Sequence, residues 1–170
     1  IYGLLFLCVY STVKYNNRFN IERKFHELNN INFENALEAK KIDKKLSGLK
    51  WITSFNTNPF EEINLLNESK IILNNDKRKK MLFTNYSFFS AILNENLYSP
   101  NRWIHLDGSA FPINENKYFK IYRKFIINLI NKNEVEVIYI TSEINELSLY
   151  NYIDKACFTK KQISKGLTGY

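Results

Sequence analysis

Ser87, Ser90, His105 and Asp107 are the residue types of a nucleophilic relay, in which a base takes the hydroxyl proton and a carboxylate orients the base. No Gly-x-Ser-x-Gly elbow surrounds either serine, and His105 and Asp107 lie so close in sequence that a relay would need an unusual turn. A small hydrolase built on Ser87 and His105 is one reading of these residues, and none of them is assigned as catalytic. The loop Ser99 to Pro112, SPNRWIHLDGSAFP, concentrates Arg102, Trp103, His105 and Asp107. Arginine with tryptophan suits a phosphate or a sugar face, through bidentate hydrogen bonds and ring stacking. The plainer alternative has Trp103 plugging a sheet edge and Arg102 paired with a carboxylate.

Nucleotide sites of the dinucleotide or P-loop kind need glycine where backbone approaches phosphate. The turns that follow LKWIT and MLFTN read SFNTNPF and YSFFS, and both lack it. Asn58-Pro59-Phe60-Glu61 is a helix start, with a capping Asn, Pro at the first position and Glu at the third. Its backbone N–H groups could meet an anion, although an ordinary capped helix needs no ligand. Cys8, Cys157, His26 and His105 share no metal-ligand spacing, so neither a metal, a cofactor nor a disulfide framework is expected.

These residues need elements to hold them. Asn32 can cap a helix through Leu46, stopped by Ser47-Gly48, after which Leu49 to Thr53 reads as a strand. A helix from Pro59 to Leu73 turns Ile63, Leu66 and Leu73 inward. Asp76 to Lys80, DKRKK, reads as a solvated loop, Met81 to Asn85 as a buried strand, and Tyr86 to Leu93 as a short helix. Asn94 to Glu115 has no clear period and is long for an idle loop. Asn116 to Asn131 is the strongest helix, with Phe119, Tyr122, Phe125, Ile126, Leu129 and Ile130 on one face. Val135 to Thr141 is a β-branched strand, Ile144 to Ile153 a helix, Ala156 to Phe158 a last short strand, and Thr159 to Tyr170 a basic tail.

Strands alternating with helices in this way predict an α/β fold, a small three-layer sandwich with a mostly parallel sheet. Ligands then gather beyond the carboxyl ends of the strands. The candidate ligand-binding set is accordingly Asn56, Asn58, Asn85, Tyr86, Ser87, Arg102, Trp103, His105 and Asp107.

Ahead of that domain, Ile1 to Val13 is an uncharged apolar run of 13 residues. A full crossing needs about 20 such residues, so the expectation is the truncated end of a transmembrane helix completed by residues upstream. The chain opens at Ile1 and its single methionine is Met81, which agrees with a missing start. A signal peptide is disfavoured by the lack of a basic leader and a cleavage pattern. Tyr2, Tyr10, Tyr15, Lys14 and Arg18 could form an interfacial belt. The expected organisation is residues 1–15 in the membrane, 16–31 connecting, 32–158 the α/β domain and 159–170 the tail.

With 170 residues and 45% hydrophobic content, one core is affordable and two are not. The net charge of +7 is compatible with nucleic acid, an anionic membrane or a phosphorylated ligand. Part of that charge follows from codons rich in A and T, which also raise Asn, Ile, Tyr and Phe.

The apolar span to Val13, IDKKLSGLKWIT (Ile42 to Thr53), TNYSFFS (Thr84 to Ser90) and NRWIHLDGSAFP followed by NKYF (Asn101 to Phe119) together resemble the C-terminal end of multi-pass glycosyltransferases that use lipid-phosphate sugars. The resemblance implies an extracytoplasmic α/β accessory domain that shapes acceptor or lipid-donor access without catalysing transfer. Its partners would be the lipid bilayer and a lipid-linked sugar or glycan acceptor, with nucleic acid disfavoured. Lys14 and Arg18 argue instead for a cytoplasmic exit. The rival is a membrane-tethered or soluble α/β module that binds anionic partners, nucleic acid or a phosphorylated ligand, through DKRKK and the basic tail.

Overall fold

A computed structural model of the chain describes residues 2–16, 31–54, 56–104, 112–142 and 149–170. The elements in chain order are α1 (Tyr2–Asn16), β1 (Ile31–Glu38), β2 (Lys50–Ser54), α2 (Pro59–Asn75), β3 (Lys80–Phe83), α3 (Phe89–Leu93), α4 (Phe119–Asn133), β4 (Val137–Thr141), β5 (Lys161–Ser164) and β6 (Leu167–Gly169).

The β-branched run of β4 is buried at all five positions, which only a central strand covered on both faces allows. β3 lies parallel to it, with Met81 opposite Ile138 and Phe83 opposite Ile140. On its other side β6 runs antiparallel, and β5 pairs antiparallel with β6, giving the order β3-β4-β6-β5. Successive side chains alternate between faces. Met81, Phe83, Ile138 and Ile140 therefore pack with Ile126 and Ile130 of α4. Leu82, Val137, Tyr139 and Leu167 pack with Ile63, Leu66 and Leu73 of α2.

The fold is thus α/β with a helix on each face, but the sheet is mixed, not mostly parallel. Three expectations fail here. The stretch read as a basic tail forms the β5-β6 hairpin, whose turn at Lys165-Gly166 returns the chain against β4. Ala156 to Phe158 is turn and coil instead of a strand. The strand at LKWIT, seen as β2, does not join the main sheet either; it pairs antiparallel with β1 in a separate sheet of two strands.

β1 occupies residues read as a helix from Asn32. The Asn32 side chain accepts from the N–H groups of Glu34 and Asn35 at 3.1 and 3.2 Å, but this local bonding sits in a bulged strand. Asparagine offers the backbone such alternatives to a helix, and pairing with β2 decides between them. Gly48, at φ 86°, makes the turn before β2 as the Ser47-Gly48 signal implies.

α2 begins where its signal predicts, with Asn58 Oδ1 accepting from Phe60 N–H at 3.0 Å and Pro59 opening the helix. α3 is shorter than the Tyr86 to Leu93 reading, and α4 starts three residues later than Asn116. Of the helix expected over Ile144 to Ile153, the described residues include a 3-10 turn at Leu149–Asn151; most of the rest lies outside them.

α1 forms over the apolar leader, and none of its residues is buried. Among the described residues no helix is long and apolar enough to cross a membrane.

Candidate functional site

β3 ends at Phe83, and its carboxyl end is where the chain first leaves the sheet. Thr84 turns the backbone there: buried itself, its Oγ1 accepts from Tyr86 N–H at 2.9 Å. The loop that follows α3 returns alongside β3, where Leu82 N–H donates to the Leu97 carbonyl at 2.9 Å and closes the free edge of the strand. Asn85 Oδ1 then accepts from Ile104 N–H at 2.5 Å, tying the far part of that loop to the strand end. Asn101 is held from the opposite side, its Oδ1 accepting from the Tyr122 hydroxyl of α4 at 2.6 Å. Burial, with Tyr152 nearby, pushes the Tyr122 phenol well above its ordinary range, so it stays a donor at any physiological pH.

These ties leave a cleft of about 430 Å³ lined by Thr84, Ser87, Ser90, Ser99, Asn101 and Arg102, with Pro100 at its rim. Arg102 is exposed, and among the described residues no carboxylate pairs with it. Trp103 does not plug a sheet edge, being 65% exposed beside it. A guanidinium among hydroxyls and one amide is a donor-rich setting without a carboxylate in its described lining. It suits a phosphate or carboxylate and offers Ser87 no described base.

The structure divides the expected set. Ser87 and Arg102 share the cleft, whereas Asn85 and Trp103, next in sequence to Thr84 and Arg102, are not in its lining. Tyr86 points away, its hydroxyl donating to Glu62 Oε1 at 2.7 Å while Trp51 Nε1 donates to Glu62 Oε2 at 3.2 Å. It belongs to an aromatic group with Trp51 and Phe88, ring centroids 5.8 Å apart in each case, that joins the two sheets through α2. Asn56 and Asn58 lie in a different groove, of about 610 Å³, with Glu34, Asn35 and Phe60. Asn58 is already engaged there as the cap of α2. His105 and Asp107 lie outside the described residues.

Comparison with known protein families, with curated proteins and with solved structures finds no match. The site is therefore read from its own chemistry.

Thr84, Ser99 and Asn101 are not singled out by the sequence, because a small polar residue in a loop carries no periodic signal. Asn101 and Ser99 could have been drawn in only through their closeness to Arg102. Among the described residues no three His, Cys, Asp or Glu side chains are placed to hold a metal ion.

Three of the four cations in DKRKK meet a carboxylate, and Lys77 donates to the Asn74 carbonyl at 2.7 Å. Arg78 pairs with Asp76, Lys79 with Glu134, and Lys80 with Glu95. Lys80 is also the first residue of β3 and buried, with Glu95 as the partner of its side chain. Asp76 accepts from Arg78 Nη2 at 2.7 Å and from the Tyr139 hydroxyl at 2.6 Å. Burial opposes its ionisation, but those hydrogen bonds outweigh burial and hold its carboxyl well below the usual carboxylate range. The Tyr139 phenol, partly buried and bonded to that carboxylate, is pushed up to about 12.

Proposed function

We propose that the chain is a membrane-attached α/β module whose apolar helix lies in lipid and whose water-facing cleft beyond β3 takes an anionic, phosphate-bearing ligand. The observation that carries the attachment is the state of α1. From Tyr2 to Tyr10 its side chains are apolar on every side, yet Leu4 is 71% exposed and Phe6 70%. A helix apolar all round belongs in a core or in lipid, and the domain does not cover this one. At about 1.5 Å per residue its 15 residues reach ~22 Å, short of the ~30 Å hydrocarbon layer. Lys14, over the Tyr10 ring at 5.7 Å, stands in the last turn, where a cation and a ring settle at headgroup depth.

The cleft supports the second half of the reading, since Arg102 and the hydroxyls of Ser87, Ser90 and Ser99 can together saturate phosphate oxygens with charge-assisted bonds. The likeness to glycosyltransferases that use lipid-phosphate sugars makes a lipid-linked sugar phosphate the ligand to try first. The domain would then shape access to a donor or acceptor and leave transfer to other parts of such an enzyme.

Vesicle flotation tests the attachment. The chain should float with phosphatidylcholine vesicles, and Leu5→Asp with Leu7→Asp should leave it in the aqueous fraction with an unchanged circular dichroism spectrum. A wild-type chain that stays in the aqueous fraction overturns the reading. For the cleft, Arg102→Ala should weaken binding of a polyprenyl phosphate about tenfold or more, the share of a hydrogen bond to a charged group. Equal binding by the variant removes the cleft from the proposal.

A further inference from the structure

α4 has more apolar surface than the core takes. Only Ile126 and Ile130 are buried, while Ile121 is 70% exposed and Phe125 45%, with Tyr118 and Ile127 also open to solvent. Tyr118, Ile121 and Phe125 follow one another at steps of three and four, so they form one stripe along the helix. Lys117, Lys124 and Lys132 stand on or beside it, and Lys120 and Arg123 lie further round the helix towards Ile127. None of these five is in an ion pair among the described residues, and Lys117 lies over the Tyr118 ring at 4.8 Å.

The helix itself contains no acidic residue. The carboxylates nearest in sequence are Glu115, before the helix, and Glu134, after it, which is engaged with Lys79. Asp154 shares a side groove with Arg123 and Ile127. Lys120, Arg123 and Lys124 rim an adjoining groove of about 550 Å³ floored by Phe119 and Ile127.

A purely basic face would be an ordinary solvated helix, and a purely apolar one a surface for another protein. Rings and branched side chains interleaved with unpaired cations match the lipid-water boundary, where apolar groups sink to the acyl chains and cations meet lipid phosphates. We propose that the outer face of α4 is a second membrane contact, which lies flat on an anionic bilayer surface. It rests on the attachment reading only in that α1 brings the domain to lipid; the affinity of α4 for anionic headgroups is its own.

The test uses the full chain with vesicles of phosphatidylcholine alone and of phosphatidylcholine mixed with phosphatidylglycerol. Cations near such a surface contribute about 1 kcal/mol each, so K120E/K124E should lower affinity for the anionic vesicles at least about 30-fold. The same variant should bind neutral vesicles as the wild type does. I121S/F125S should lower anionic binding in salt high enough to screen the cations. L5D/L7D separates the two readings: it should abolish neutral-vesicle binding yet keep salt-sensitive binding to anionic vesicles. If wild type and K120E/K124E bind anionic vesicles alike, the inference falls even where α1 inserts. If the wild type prefers a DNA duplex to anionic vesicles at matched salt, the partner is a nucleic acid and the inference is likewise overturned.

Discussion

α2 and α4 cover opposite faces of the same sheet, and they differ in what lies behind them. α2 buries Pro59, Ile63, Leu66, Ser69 and Leu73, although its apolar residues are less sharply segregated to one side. It is covered twice: by the main sheet on one side, and on the other by the chain around residues 39–46. Asn67 Nδ2 donates to the Lys41 carbonyl at 3.0 Å there, and Lys70 donates to the Ile42 carbonyl and pairs with Asp43. α4 is better segregated: Ile126 and Ile130 go into the core with Phe119, Tyr122 and Leu129 packed against it, while Ile121, Phe125 and Ile127 stay outside. Apolar content shows what a helix can bury; whether it does so depends on how many neighbours the chain supplies.

The largest expected effect sets the two helices directly against each other. Leu73→Ala, at a fully buried position of α2, should cost about 3 kcal/mol in urea unfolding, and Ile121→Ala on α4 less than about 0.5 kcal/mol. Comparable costs would mean that the α4 face is covered within the molecule, and the contrast would be lost.

Asp76, just beyond the end of α2, comes next. Asp76→Asn weakens the acceptor of Arg78 and Tyr139 and should cost about 2 kcal/mol. Because the folded state holds this carboxyl below its ordinary value, its contribution is fully present above about pH 4 and declines as pH falls below that. Thermal unfolding followed against pH should show wild type and variant converging in acid, and a gap that stays constant would contradict the pairing.

Gly166→Ala probes the contact between α2 and the C-terminal hairpin. A Cβ there would stand 3.0 Å from Ser69 Oγ and 3.2 Å from the Leu65 carbonyl oxygen. The loss should be about 1 kcal/mol, from overpacking, and a neutral result would show that the hairpin can shift away from α2. The smallest effect belongs to K120E/K124E, whose unfolding midpoint should match the wild type within about 0.5 kcal/mol, since both side chains are solvated and unpaired.

Local signals were legible wherever a few neighbouring residues decide the outcome. Asn58-Pro59 starts α2 because the cap and the fixed proline φ act within one turn, and Val137 to Thr141 is a strand because its β-branched side chains suit little else. The cleft was half legible: Arg102 and Ser87 stand out by type, whereas Thr84, Ser99 and Asn101 join them only through hydrogen bonds that span 19 residues or more, from Ile104 to Asn85 and from Tyr122 to Asn101. Asn56, Asn58 and Tyr86 were grouped with that cleft because each follows a strand. Only the structure shows that β2 belongs to another sheet and that Tyr86 faces Glu62.

By itself the sequence determined the helices with capped or strongly periodic ends, the two buried parallel strands, and an apolar leader that the domain need not enclose. Tertiary structure decided the rest: β1 in place of a helix, the pairing of DKRKK with carboxylates, and a C-terminal hairpin that turns the sheet mixed. The reason is common to all three. Apart from the local Arg78–Asp76 pair, these strand and ion pairings join residues distant along the chain, so their stabilisation appears in no local window, whereas a cap or a helical stripe is complete within a few turns.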